Sequence, residues 1–116
     1  KVVFHSNGQS QRLDAQLAGS HPRLLRYLWG DGYLEIVPEN GDKGSALKLI
    51  ADRLGVHRSD VVAFGDGLND LTMIRWAGRS VAVGNDVYPA VLAAADEHIA
   101  PPEQGGVARW IEQNVL

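Results

Sequence analysis

At 116 residues, with a formal net charge of -3 and 45% hydrophobic residues, the chain is one domain's worth of globular sequence. That charge argues against a nucleic-acid or anionic-membrane surface, and no run approaches the ~20 apolar residues a membrane helix needs. The absence of cysteine excludes disulfides and thiolate metal sites, and it leads to the expectation of a cytoplasmic protein.

Lys1 to His5 reads as a short strand, and Asn7, Gly8 and Ser10 as a turn. Leu13, Leu17 and Ala18 recur at helical spacing, and Gly19 is expected to end that helix. Two β-prone runs, Leu24 to Trp29 and Tyr33 to Val37, flank Gly30-Asp31-Gly32 and predict a hairpin. Pro38 to Asp42 is a loop of turn residues and a domain boundary, which gives 1–38 and 39–116 as the two parts. Asp42 is placed to cap a helix whose apolar face is Ala46, Leu47, Ile50, Ala51 and Leu54, with Gly55 as its stop. Ser80 to Val83 is a buried strand, and Val87 to Ala95 a helix that tolerates Pro89 in its first turn. His98 to Ala100 is a strand, and Val107 to Val115 a last helix. Strands alternating with helices from residue 43 onward predict α/β architecture on a parallel sheet, behind a small α+β unit.

The stretch VVAFGDGLND, Val61 to Asp70, carries the most chemistry. Val61 to Phe64 is a buried strand, the chain turns at Gly65 and Gly67, and Asn69 or Asp70 can cap the helix that follows. Asp66 is thereby delivered to the carboxyl end of a strand beside a helix N-terminus, the place where α/β sheets bind ligands and anions. A Gly-Asp-Gly turn alone is weak evidence, because such residues build turns in any case. Lys43 lies in a first helical turn, where a cation is mildly unfavourable, and read by itself it is an ordinary surface lysine. The histidines His5, His21, His57 and His98 lack metal-ligand spacing, and Trp29, Trp76 and Trp110 read as core or interface anchors.

The longer string narrows the choice. Gly65, Asp66, Asn69 and Asp70 resemble the GDxxND motif of the haloacid dehalogenase-like phosphatases, and residues 43–116 follow the pattern of their Cof-type, sugar-phosphatase-like branch. The resemblance implies the second half of a Rossmann-like core, preceded by the end of a C2-type cap domain. It implies that Lys43, with Gly44 beside it to let the backbone approach a ligand, binds phosphate and offsets the charge that builds up during transfer. Asp66 would be a Mg²⁺ ligand, and Asn69 would donate its amide to a phosphate oxygen. Asp70 would orient Lys43 through a charge-assisted hydrogen bond. Beside these roles stand plainer ones: a turn aspartate for Asp66, a cap for Asn69 and a first-turn acid for Asp70. Gly84-Asn85-Asp86 and Gly105-Gly106-Val107 match family loops and read as structural.

The resembled enzymes begin with a strand ending in Asp-x-Asp-Gly, whose first aspartate is the nucleophile. No Asp-x-Asp occurs in this sequence, which opens on Lys1. The expectation is therefore the C-terminal part of a longer phosphatase that acts on a small phosphorylated metabolite and is inactive as this chain alone. An open strand edge beside Val61 to Phe64 would then invite self-association. The alternatives are a non-catalytic α/β interaction module, favoured by the missing aspartates, and a phosphomutase of the same superfamily.

Overall fold

Tyr33–Val37 (β3) is the central strand of a three-stranded antiparallel sheet, with Val2–His5 (β1) on one side and Leu25–Leu28 (β2) on the other. Phe4 and Leu28 both lie directly across from Leu34, which is fully buried at the middle of the sheet. The hairpin turn expected at Gly30-Asp31-Gly32 closes with the Trp29 N–H donating to the Tyr33 carbonyl at 2.8 Å. The helix Ser10–Ser20 (α1) packs on β2 and β3, and its first residue, Ser10, is buried with its hydroxyl donating to the Gly32 carbonyl at 2.6 Å. This helix does not stop at Gly19. An exposed glycine costs a helix interior only about 1 kcal/mol relative to alanine, so one in the last turn is readily accommodated. Here the Gln16 and Leu17 carbonyls are still taken, by the Ser20 hydroxyl and the His21 N–H respectively.

The computed structural model describes residues 1–116, and they divide into two units, Lys1–Asp42 and Lys43–Leu116. The second unit is α/β. Its three parallel strands, Val62–Gly65 (β4), Arg79–Val83 (β5) and Glu97–Ile99 (β6), lie in the order β4-β5-β6. They alternate with the helices Lys43–Leu54 (α2), Leu71–Trp76 (α3), Pro89–Ala94 (α4) and Gly106–Asn114 (α5). The short parallel strands need crossover helices between them, and that requirement is what the alternating pattern encoded. Strand ends differ from expectation by one residue. At β4, for example, the Val61 carbonyl is spent on the Gly78 and Arg79 N–H groups at the bottom of the sheet.

Successive residues of β4 point to opposite faces, and the two faces bury different partners. Ala63 packs with Ile74, Ala77 and Val91, with Leu47, Leu71 and Met73 closing over them. On the other face Phe64 meets the Trp110 ring edge-to-face at 5.1 Å between centroids. Trp110 donates its indole N–H to Glu97 at 3.1 Å, and the Arg79 guanidinium lies 4.6 Å over the same ring while its Nε binds Glu97 at 2.6 Å. α5 is thus fixed to the sheet through one buried aromatic whose polar edge is satisfied.

Candidate active site

β4 ends at Gly65, and the chain enters a 3-10 turn, Leu68–Asp70, before α3 begins. Only glycine fits at 65: a Cβ there would fall 2.6 Å from the Asp70 Cβ. That close approach lets the Asp70 carboxylate reach back across the turn. Its Oδ2 accepts the N–H groups of Asp66 and Gly67, each at 3.1 Å. Asp70 does not cap α3 with its side chain, and neither does Asn69. Its carboxylate serves the start of the preceding 3-10 turn, because the extra turn moves the unsatisfied N–H groups to Asp66 and Gly67.

The other oxygen of Asp70 accepts a hydrogen bond from the Lys43 ammonium, across 27 residues of sequence. The Asp70 side chain is buried while that of Lys43 is about half exposed. Burial alone would push the Asp70 carboxyl up. The hydrogen bonds from Lys43, Gly67 and Asp66, with the Lys43 charge, together hold it below the usual carboxylate range. Asp70 is therefore a fixed anion that holds one face of the ammonium and leaves its exposed side open.

Asp66 is exposed at the carboxyl end of β4, and Asn69 is half-buried on the same turn. The Asp66 main chain is held twice, by Asp70 at its N–H and by the Tyr88 N–H donating to its carbonyl at 2.8 Å. The structure thus brings Lys43, Asp66, Asn69 and Asp70 to one end of the parallel sheet. Asn85 and Asp86 are exposed on the loop after β5, at the same end. The histidines are dispersed: His98 meets the Gly84 carbonyl at 2.6 Å, so its Nε2 carries the hydrogen, and His5 stacks on Tyr33 at 4.2 Å.

No group of three or more His, Cys, Asp or Glu side chains converges in a way that could hold a metal ion. A lone exposed carboxylate fits Mg²⁺ better than a transition metal, because Mg²⁺ keeps several waters and takes one or two carboxylates plus phosphate oxygens.

Gly44 has a contact that the sequence reading did not include. Its bare backbone lies against α3: a Cβ at 44 would lie 2.6 Å from the Thr72 carbonyl carbon and oxygen. The Gly44 N–H donates to the Thr72 hydroxyl at 3.0 Å. Thr72 was not legible as part of the site, because nothing in sequence marks a helix–helix contact across 28 residues.

Residues 1–111 match the family model described as haloacid dehalogenase-like hydrolase. The chain is 40% identical over 80 residues to the 5-amino-6-(5-phospho-D-ribitylamino)uracil phosphatase YitU of Bacillus subtilis, covering 69% of this chain and 29% of that protein. Among solved structures, a haloacid dehalogenase-like hydrolase from Bacteroides thetaiotaomicron superposes with a TM-score of 0.79 at 31% identity, over 96% of this chain and 42% of that one. A subclass IIB sugar phosphatase of the same superfamily also gives 0.79, at 25% identity, over 89% of this chain and 39% of the other. The chain spans less than half the length of each of these relatives. With the family model matching nearly its whole length, the chain belongs to the haloacid dehalogenase-like hydrolases.

Proposed function

We propose that these residues supply the phosphate-binding and Mg²⁺-binding half of a phosphatase that hydrolyses a small phosphorylated metabolite, a sugar phosphate among the candidates. The nucleophile of the aspartyl-phosphate step lies outside this chain, which has no Asp-x-Asp. The observation that carries the reading is the Lys43–Asp70 pair at the carboxyl end of β4, with Asp66 and Asn69 on the intervening turn. Phosphoryl transfer spreads negative charge over equatorial oxygens, so its catalysis rests on positive charge fixed in advance. Lys43, held by a buried carboxylate, supplies that charge. Asn69 donates its amide to a phosphate oxygen, and Asp66 offers its carboxylate to Mg²⁺. When bound, Mg²⁺ would neutralise phosphate charge and template the in-line geometry. The names of the relatives support the same chemistry: one is a phosphatase of a phosphorylated ribitylamino-uracil and another a sugar phosphatase.

The test is calorimetric binding of inorganic phosphate, with and without Mg²⁺, together with phosphate release from an aryl phosphate. The chain is expected to bind phosphate weakly, to lose that binding in Lys43→Ala, and to release no phosphate above background. No phosphate binding under any condition would favour a non-catalytic module. Mg²⁺-dependent turnover abolished by Asp66→Ala would put the nucleophile within these residues and overturn its assignment elsewhere.

A further inference from the structure

The Lys43–Asp70 contact does not explain its own geometry. The hydrogen bond to the buried Asp70 fixes the end of a flexible four-carbon stem, but not the backbone from which that stem starts. The backbone at the start of α2 is held by other contacts, since α2 packs along α3 with Leu47 against the core. Two consecutive residues there, Lys43 and Gly44, bind Asp70, the last residue of the 3-10 turn, and Thr72, in the first turn of α3. The Gly44 N–H is in the first turn of α2, where no intrahelical carbonyl is available to accept it. The Thr72 hydroxyl accepts it at 3.0 Å, and the missing side chain at 44 lets the two backbones close to a distance no other residue allows.

We infer that Thr72 is a positioning residue: its hydroxyl, packed against a glycine at 44, clamps the N-terminus of α2 to α3 and so sets the Lys43 ammonium on Asp70. The clamp acts on backbone, so it fixes where the Lys43 side chain starts. The ion pair then has only the side chain's own rotamers to select. Its functional consequence rests on the phosphate role given to Lys43 above, but its geometry does not.

The experiment compares the wild-type chain with Thr72→Val, which keeps the shape and loses the acceptor, and with Thr72→Ser, which keeps the hydroxyl. Two readouts are taken: hydrogen exchange at the Gly44 amide, and the rate at which the Lys43 amine is labelled by reductive methylation. Thr72→Val is expected to speed Gly44 exchange by about fivefold or more, the factor that one ordinary hydrogen bond supplies. It is also expected to raise Lys43 labelling, and Thr72→Ser to restore both to near wild type. Restoration separates the clamp from a general packing role, because serine removes a methyl group and leaves the hydroxyl. Unchanged Lys43 labelling in Thr72→Val would overturn the inference, as would a serine variant that behaves like valine. Should Thr72→Val fail to fold, the wild-type chain still decides. A Gly44 amide that exchanges as freely as an exposed one contradicts the clamp, and a protected one that Thr72→Ser retains supports it. Neither readout needs phosphate or turnover, so this inference and the phosphatase reading fail separately.

Discussion

Asp70 concentrates more of the local energetics than any other side chain at this end of the sheet. It is buried, it holds two backbone N–H groups and it anchors an ammonium. Truncating it leaves those donors unanswered. Asp70→Ala is therefore expected to lower stability by about 1–3 kcal/mol in urea unfolding, with Asp70→Asn costing less because one carbonyl oxygen remains. A loss below about 0.5 kcal/mol would mean that water replaces the carboxylate at no cost. The pairing with Lys43 was legible in sequence only through the family resemblance, whereas the back-reach to Asp66 and Gly67 was not. A capping reading assigns Asp70 to the helix after it, and only the inserted 3-10 turn reveals that it serves the residues before it. Asp96 gives a second residue-scale test. The Ser80 hydroxyl and N–H, both at 2.8 Å, hold its carboxyl below the usual range. A carboxylate whose folded pKa is depressed adds stability that is complete above its unfolded pKa, about 3.9, and that is lost as pH falls through the lower folded value. Asp96→Asn should thus lower the melting temperature at neutral pH and flatten its decline below pH about 4. A parallel decline in both chains would remove Asp96 from the acid transition.

At the scale of elements, the alternation of apolar runs and turn residues made every strand and helix of the second unit readable to within a residue or two. The βαβ rhythm was clear because each short strand is closed by glycine or proline, but the apolar face expected on α2 is covered only in part: Leu47 and Ala51 turn inward, whereas Ala46, Ile50 and Leu54 are exposed. What pattern could not give was the traffic between elements far apart in sequence. Gly44 was read as letting the backbone approach a ligand, and its close contact with α3 was not readable from pattern. Trp110 was readable as an anchor, but its partners on β4, β5 and β6 were not. Those contacts tie α5 to all three strands through one ring, beside the Arg79–Asn114 hydrogen bond at 3.0 Å. Trp110→Ala is expected to cost about 3–5 kcal/mol in chemical denaturation, the range for emptying a buried aromatic site. Trp110→Phe should cost clearly less, since it keeps the edge-to-face contact and loses the indole N–H. Equal losses in the two variants would place the energy in the Glu97 hydrogen bond instead of the packing.

Across the whole molecule, the parallel sheet ends at β4, whose second edge has no partner strand in this chain. An edge of that kind offers a row of backbone donors and acceptors to any extended segment. We propose that the chain self-associates through it, and gel filtration over a concentration series should show mass above that of a monomer. Val62→Lys, which puts a charge on that edge, should shift the profile toward monomer, and a strict monomer at every concentration would contradict the proposal. The central claim concerns the other end of the strand, where Lys43, Asp66, Asn69 and Asp70 meet. The most direct measurement is an NMR titration of the chain with inorganic phosphate and Mg²⁺, following backbone amides, the Asn69 side-chain amide and the Lys43 ammonium. Saturable shifts confined to Gly65–Asp70 and Lys43, strongest with both ions present, are the predicted result. Shifts scattered over the surface, or none at the Asn69 amide and the Lys43 ammonium, would contradict the claim that these four residues form a phosphate site.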